Sequence, residues 1–137
     1  MFKKITAMFL TALIAVLVLC TVVSASELSL YTTYLSNCSS TLTISGTTAT
    51  CDSSATGYYG ETTKIVIDQT LQKKDSSGNW SKVDSWSETD TGYKGSATNY
   101  AYNLSDGTYR LKSVFTVYAG NDSEEVIKYS SEAKVKK

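Results

Sequence analysis

The chain has 137 residues, with no proline, no histidine and three cysteines, and its 13 basic side chains are balanced by 13 acidic ones. A neutral, mixed-sign chain has no electrostatic footprint for nucleic acid or for tight attachment to an anionic membrane. Without imidazole there can be no Ser-His-Asp or Cys-His nucleophile arrangement and no histidine-ligated metal, so composition alone removes several enzyme classes.

In chain order, residues 1–25 have the pattern of an export signal. Lys3 and Lys4 precede an apolar run from Ile5 to Val23, and Ser24 and Ala25 supply the small-residue end, which predicts cleavage after Ala25. At 19 residues the apolar run approaches the roughly 20 needed to cross a bilayer, so an uncleaved anchor is the alternative. Leu19 stands where a lipoprotein signal carries a small residue, and Cys20 is therefore expected to leave with the signal. Cleavage leaves about 112 residues, enough for one modest core, and the loss of Lys3 and Lys4 brings the net charge near −2. With no proline there is no proline-containing sortase signal, and the expected localisation is secreted, in the extracellular space. The short basic run of Lys134, Lys136 and Lys137 is expected to be a solvated end.

Residues 26–37 are expected to be a flexible or edge segment, and 38–137 a single domain. From Cys38 onward apolar residues recur at every second position, the period of half-buried strands. Ser40, Leu42 and Ile44 alternate with Thr41, Thr43 and Ser45, and Gly46 turns the chain into Thr47 to Cys51, which predicts a hairpin. Tyr58 and Tyr59 lie between Gly57 and Gly60 in a second turn. Thr63 to Lys73, with Ile65, Ile67 and Leu71 on one side and Val66 on the other, is the strongest strand and is expected to be central. The turn Asp75 to Asn79 should fold Trp80 to Thr89 back on it. Trp80, Val83 and Trp86 do not share one parity, so either a bulge intervenes or one of them faces solvent. Gly92 and Gly95 mark a loop before a short strand from Asn99 to Leu104. Ser105 to Gly107 then turns the chain into Thr108 to Tyr118, where Tyr109, Leu111, Phe115 and Val117 face one way and Arg110, Lys112, Thr116 and Tyr118 the other. A last strand is expected around Glu125 to Ser131. Seven strands joined by polar turns, with no helical spacing, predict an all-β chain folded as one antiparallel β-sandwich.

The run Leu104-Ser105-Asp106-Gly107-Thr108-Tyr109 resembles the corner before the sixth strand of immunoglobulin and fibronectin type III-like domains. The spacing is one residue shorter than the usual fibronectin pattern, and the resemblance implies that the Tyr109 hydroxyl bonds back across the corner. The wider set TLTISGTTATC, TKIVIDQTLQKK, GNWSKVDSW and GTYRLKSVFTVYAG is similar to small secreted proteins of unknown function from Clostridia-type Gram-positive bacteria. That likeness covers nearly all of the mature region and implies fold and export, without an activity.

Among chemistry-bearing residues, Cys38 and Cys51 form an even pair in an exported chain, which predicts a disulfide closing a loop of about 14 residues and contributing about 3 kcal/mol. A two-residue turn at Ser45 and Gly46 would place Ser40 opposite Cys51, so the bond requires a wider turn or a bulge. Asp68, Asp84, Asp90, Glu61 and Glu88 are the raw material for a two-carboxylate hydrolase, but they scatter among turns and outward positions, where carboxylates are ordinarily just solvated. Glu124 and Glu125 are adjacent on a strand and point to opposite faces. Asp75, Ser77 and Asn79 superficially resemble a calcium loop, yet the glycine is misplaced and no bidentate carboxylate follows, so an ordinary turn is expected. Four Asn-x-Ser sequences, at Asn37, Asn79, Asn103 and Asn121, would accept glycans in a eukaryotic secretory route and are chance occurrences under the bacterial likeness. That leaves the aromatic residues. Tyr58, Tyr59, Trp80, Trp86 and Tyr93 are the candidate binding positions, with Tyr100 and Tyr102 near a strand end, because exposed rings stack on sugars or anchor proteins. The expectation is a secreted, non-enzymatic, cofactor-free monomer that binds an extracellular protein or glycan. A carboxylate-based hydrolase and a secreted effector acting on other cells are the alternatives.

Overall fold

The computed structural model describes residues 32–137, so the expected signal 1–25 and residues 26–31 lie outside the described part. Alternating apolar and polar positions become strands throughout: β1 Leu35–Ser45, β2 Thr48–Gly57, β3 Lys64–Lys74, β4 Trp80–Thr91, β5 Lys94–Ala101, β6 Gly107–Ala119, β7 Asp122–Tyr129 and β8 Ala133–Val135. All pair antiparallel, in a smaller sheet of order β1-β2-β5 and a larger one of order β4-β3-β6-β7, with β8 also on β6. In immunoglobulin nomenclature these are strands A-B-E against C′-C-F-G, the connectivity of an immunoglobulin-like sandwich without a D strand. The eighth strand is an addition to the seven expected, three residues that alternation cannot reveal.

β3 lies between β4 and β6, and its inward residues Ile65, Ile67 and Leu71 are completely buried, as the strand pattern predicts. β6 alternates as expected, with Tyr109, Leu111, Phe115 and Val117 inward. At the corner before it, the Tyr109 hydroxyl donates to the Ser105 carbonyl at 2.6 Å, the back-bond that the fibronectin-like resemblance implies.

Several boundaries differ from the sequence expectation, β2 among them, which continues to Gly57, and three have structural consequences. β1 starts at Leu35, which is 3% exposed, within the segment expected to be flexible or at an edge, and β1 is an edge strand. β5 starts at Lys94, so Gly95 is not in a loop but inside the strand. Room there is tight, because a Cβ would stand 3.1 Å from the Asp90 carboxylate and 3.2 Å from Ile65. The first hairpin turns on Gly46 and Thr47, since Ser45 pairs with Thr48, and the whole register moves with it.

The interior is divided. One apolar cluster gathers Ala49, Cys51, Leu71, Ala101, Leu104, Tyr109, Leu111 and Val135. The other gathers Leu35, Ala55, Ile65, Ile67, Ala97, Phe115 and Val117. Between them runs a polar layer that alternation conceals. Buried Gln69 on β3 spreads its amide N–H donors over the Cys51 carbonyl, the Ser53 hydroxyl and the Ala97 carbonyl at 3.1, 2.7 and 3.2 Å, and accepts from Asn99 at 2.8 Å. Ser113 on β6 bonds to Ser53 at 2.7 Å and to Ser40 at 2.8 Å. Among the described residues no buried side-chain nitrogen or oxygen lacks a partner, so the layer bridges the two sheets without an unmet group.

Candidate functional site

The five aromatic residues singled out in the sequence fall into three separate places. At the end of the sandwich where β2 leaves the core, the turn to β3 carries Tyr58 and Tyr59, and the turn from β4 to β5 carries Tyr93. The Gly57 N–H donates to the Tyr93 carbonyl at 2.6 Å, which ties the two turns together. Tyr59 is 85% exposed and meets the Tyr93 ring edge-on with centroids 5.2 Å apart. Thr62 braces this turn: its hydroxyl accepts from the Tyr58 N–H at 3.0 Å and donates to the Tyr34 carbonyl at 2.7 Å. Trp86 is elsewhere, half-buried against the first apolar cluster.

Trp80 is directed to a third place by a bulge. On β4 the pairs from Thr91 to Asp84 keep one register with β3, but Lys82 pairs with Gln72 directly after Asp84 pairs with Leu71, which leaves Val83 unpaired and 42% exposed. The extra residue reverses the sense of the strand, so Trp86 faces the interior opposite Gln69, while Lys82 and Trp80 lie on the outward face opposite Gln72 and Lys74. Both readings of the broken parity therefore hold together: there is a bulge, and Val83 and Trp80 turn outward.

On that outward face Trp80 finds partners the sequence did not single out. The Arg110 guanidinium carbon is 4.2 Å from the Trp80 ring centroid and 4.2 Å from that of Tyr129, while Arg110 Nε donates to Gln72 Oε1 at 2.8 Å. Lys74 Nζ is 5.2 Å from the Trp80 centroid and bridges to Glu132 at 2.9 Å. A cation held against two rings gains from both quadrupoles, and one fixed bond at Nε sets the plane of the fork. Arg110 and Tyr129 were legible only as an outward residue and a last-strand aromatic. The pairing of Lys112 with Tyr129 brings Arg110 and Tyr129 together, and no local pattern encodes it. A shallow depression of about 400 Å³ opens further along β3 and β4, lined by Asp68, Gln69, Thr70, Ser85, Trp86 and Ser87.

The carboxylates do not converge on one cleft with the aromatics. Asp84, Glu88 and Asp90 sit at alternate positions of edge strand β4, opposite Leu71, Ile67 and Ile65, whereas Asp68 is on the opposite face of the sheet and Glu61 is in the β2–β3 turn. The Asp75 carboxylate serves its own turn, accepting from the Ser77 and Asn79 N–H groups at 2.8 Å each, as the ordinary-turn reading predicts. Glu124 accepts from the Thr33 and Tyr34 N–H groups just ahead of β1 at 2.7 and 2.6 Å.

The expected disulfide is not formed: Cys38 and Cys51 are both free thiols. With the turn at Gly46 and Thr47, Cys51 opposes Leu42 and Cys38 opposes Ala55, so the two cysteines stand four register positions apart, about 13 Å along the hairpin. Neither the wider turn nor a suitably placed bulge occurs, and Cα atoms beyond about 7 Å cannot be bridged without moving backbone. Instead the cysteines pack. Burial pushes the Cys51 thiol from 9.0 up to about 12, and the Asp52 and Asp84 carboxylates push it the same way. Burial also raises Cys38, against an opposing pull from Lys128. Thiols held protonated are poor nucleophiles. No protein-family model matches the chain, and no curated protein matches it either.

Proposed function

We propose that this chain is a secreted, non-enzymatic β-sandwich module that acts by binding an extracellular partner through the outward face of its larger sheet. One observation carries the reading: Trp80, Arg110 and Tyr129 are assembled on a face that no other described element covers, by a bulge whose effect is to direct Trp80 there. A half-buried Trp80, a Tyr129 at 47% exposure and a charged fork already fixed in place have a use at an interface and none in the core. The absence of imidazole and the scatter of the carboxylates favour binding over turnover. Export through residues 1–25, release as a monomer and kinship with the small secreted Clostridia-type proteins belong to the same proposal.

The test is capture by the purified protein on a glycan array and from cell envelopes, compared with Trp80→Ala. Capture that the variant loses is the expected result. Silence of the native protein on both, or turnover of a polymer by the purified protein, would overturn the proposal.

A further inference from the structure

We infer that the Trp80, Arg110 and Tyr129 cluster is a binding site for an acidic polysaccharide, with Arg110 gripping a carboxylate or sulfate and the two rings supporting the sugar. This rests on the binding-module reading and names its ligand class.

The charge on the face is one-sided where the cluster sits. Register places Lys74, Lys82, Arg110, Lys112 and Lys134 on the outward surface at this end. Glu132 engages Lys74. The acids that share the face, Asp68 on β3 and Glu125 on β7, lie further along: Asp68 is four residues from Gln72, and Glu125 pairs with Thr116, six residues beyond Arg110. A local excess of cations therefore coexists with a chain of zero formal charge.

Arg110 is prepared for an anion. Its Nε is engaged by Gln72, and among the described residues its two terminal nitrogens donate to no protein acceptor. The rings at 4.2 Å hold the guanidinium plane, leaving the outer edge of the fork to meet two oxygens side by side. Lys112 is two residues on along the same strand, about 7 Å away, within reach of the same ligand chain.

The surroundings favour a polyhydroxylated ligand over a protein. Thr70 and Ser85 occupy the outward positions next to the cluster and offer hydroxyls that both donate and accept. The nearby depression is shallow and lined as much by polar as by apolar surface, unlike the desolvated apolar pocket in which a protein anchor residue seats. Tyr129 at 47% exposure and half-buried Trp80 keep ring area for the apolar face of a pyranose.

Calorimetry and affinity electrophoresis with polygalacturonate and heparin test this, with fully methyl-esterified polygalacturonate and dextran as uncharged comparators. The native protein is expected to bind at least one acidic polymer, about tenfold or more tighter than the uncharged ones, and to weaken as salt rises. Arg110→Lys, which keeps the charge and removes the fork, should cost about tenfold, and Lys112→Gln a smaller factor. Lys64→Gln, which removes one charge from the far end of the same face, should change binding less than twofold. Near-ultraviolet circular dichroism establishes that each variant is folded, and Lys112→Gln decides the matter should Arg110→Lys not fold. Equal binding of charged and uncharged polymers, or equal losses from Arg110→Lys and Lys64→Gln, would overturn the inference and leave the binding face standing. Silence toward both acidic polymers combined with Trp80-dependent capture of a protein from envelopes would do the same. Silence in every assay would sink both.

Discussion

Cys51 shows how far one residue's chemistry is set by its neighbours. In the unfolded chain its thiol ionises near 9.0, whereas in the fold burial and two carboxylates hold the proton until about 12. Below pH 9 both states are protonated and the group contributes nothing to pH dependence. Between pH 9 and 12 the unfolded thiol loses its proton while the folded one keeps it, so stability falls as pH rises. Urea unfolding at pH 8 and pH 10.5 is therefore expected to show a larger loss for the native protein than for Cys51→Ala, and identical losses would refute the assignment. An even pair of cysteines in a chain expected to be exported made a disulfide the sequence expectation. What the composition could not contain is that the turn sits one residue later than expected, which shifts the pairing sum by two and leaves the thiols four positions apart.

Among the elements, turns and irregularities position the function more than the strands do. Gly57 ends β2 where the Thr62 side chain crosses it, and a methyl group at that position would place its Cβ 2.6 Å from Thr62 Cβ. Gly57→Ala is expected to cost about 2 kcal/mol or more and to loosen the turn carrying Tyr58 and Tyr59. Gly46→Ala makes the contrast: its φ of +58° disfavours a side chain but nothing stands within 4 Å, so the cost should be about 1 kcal/mol. Chemical denaturation of the pair measures both, and the reverse order would remove the packing explanation. The bulge at Val83 is the other decisive irregularity. Broken parity among Trp80, Val83 and Trp86 was visible in the sequence, but only the β3 partner residues show that one inserted position sends one tryptophan inward and the other outward.

Among the described residues, two apolar clusters and the polar layer between them join the sheets. Gln69 reaches from the larger sheet to three acceptors on the smaller one and holds Asn99 as well. Gln69→Ala is expected to lower stability by about 2–4 kcal/mol, combining lost bonds with a cavity. Gln69→Leu restores most of the volume but strands Ser53 and Asn99, so it should still cost about 1–3 kcal/mol, read as a shift in the urea midpoint. A native-like Gln69→Leu would mean that the layer adds nothing to stability. Gln69 and Ser113 escaped the sequence reading because a polar residue at an inward position looks like a lapse in alternation until its partner across the sandwich is known. The all-strand architecture, the central place of β3 and the facing of β6 could be read along the chain, because a period of two and turn chemistry act within a strand or a turn, while the Tyr109 corner came from the resemblance to immunoglobulin and fibronectin type III-like domains. The free thiols, the polar layer and the company of Trp80 emerged with the folded chain, because each depends on which residue of one strand lies opposite which residue of another. Pairing register is a long-range choice, and a single displaced turn or inserted residue changes every partner beyond it.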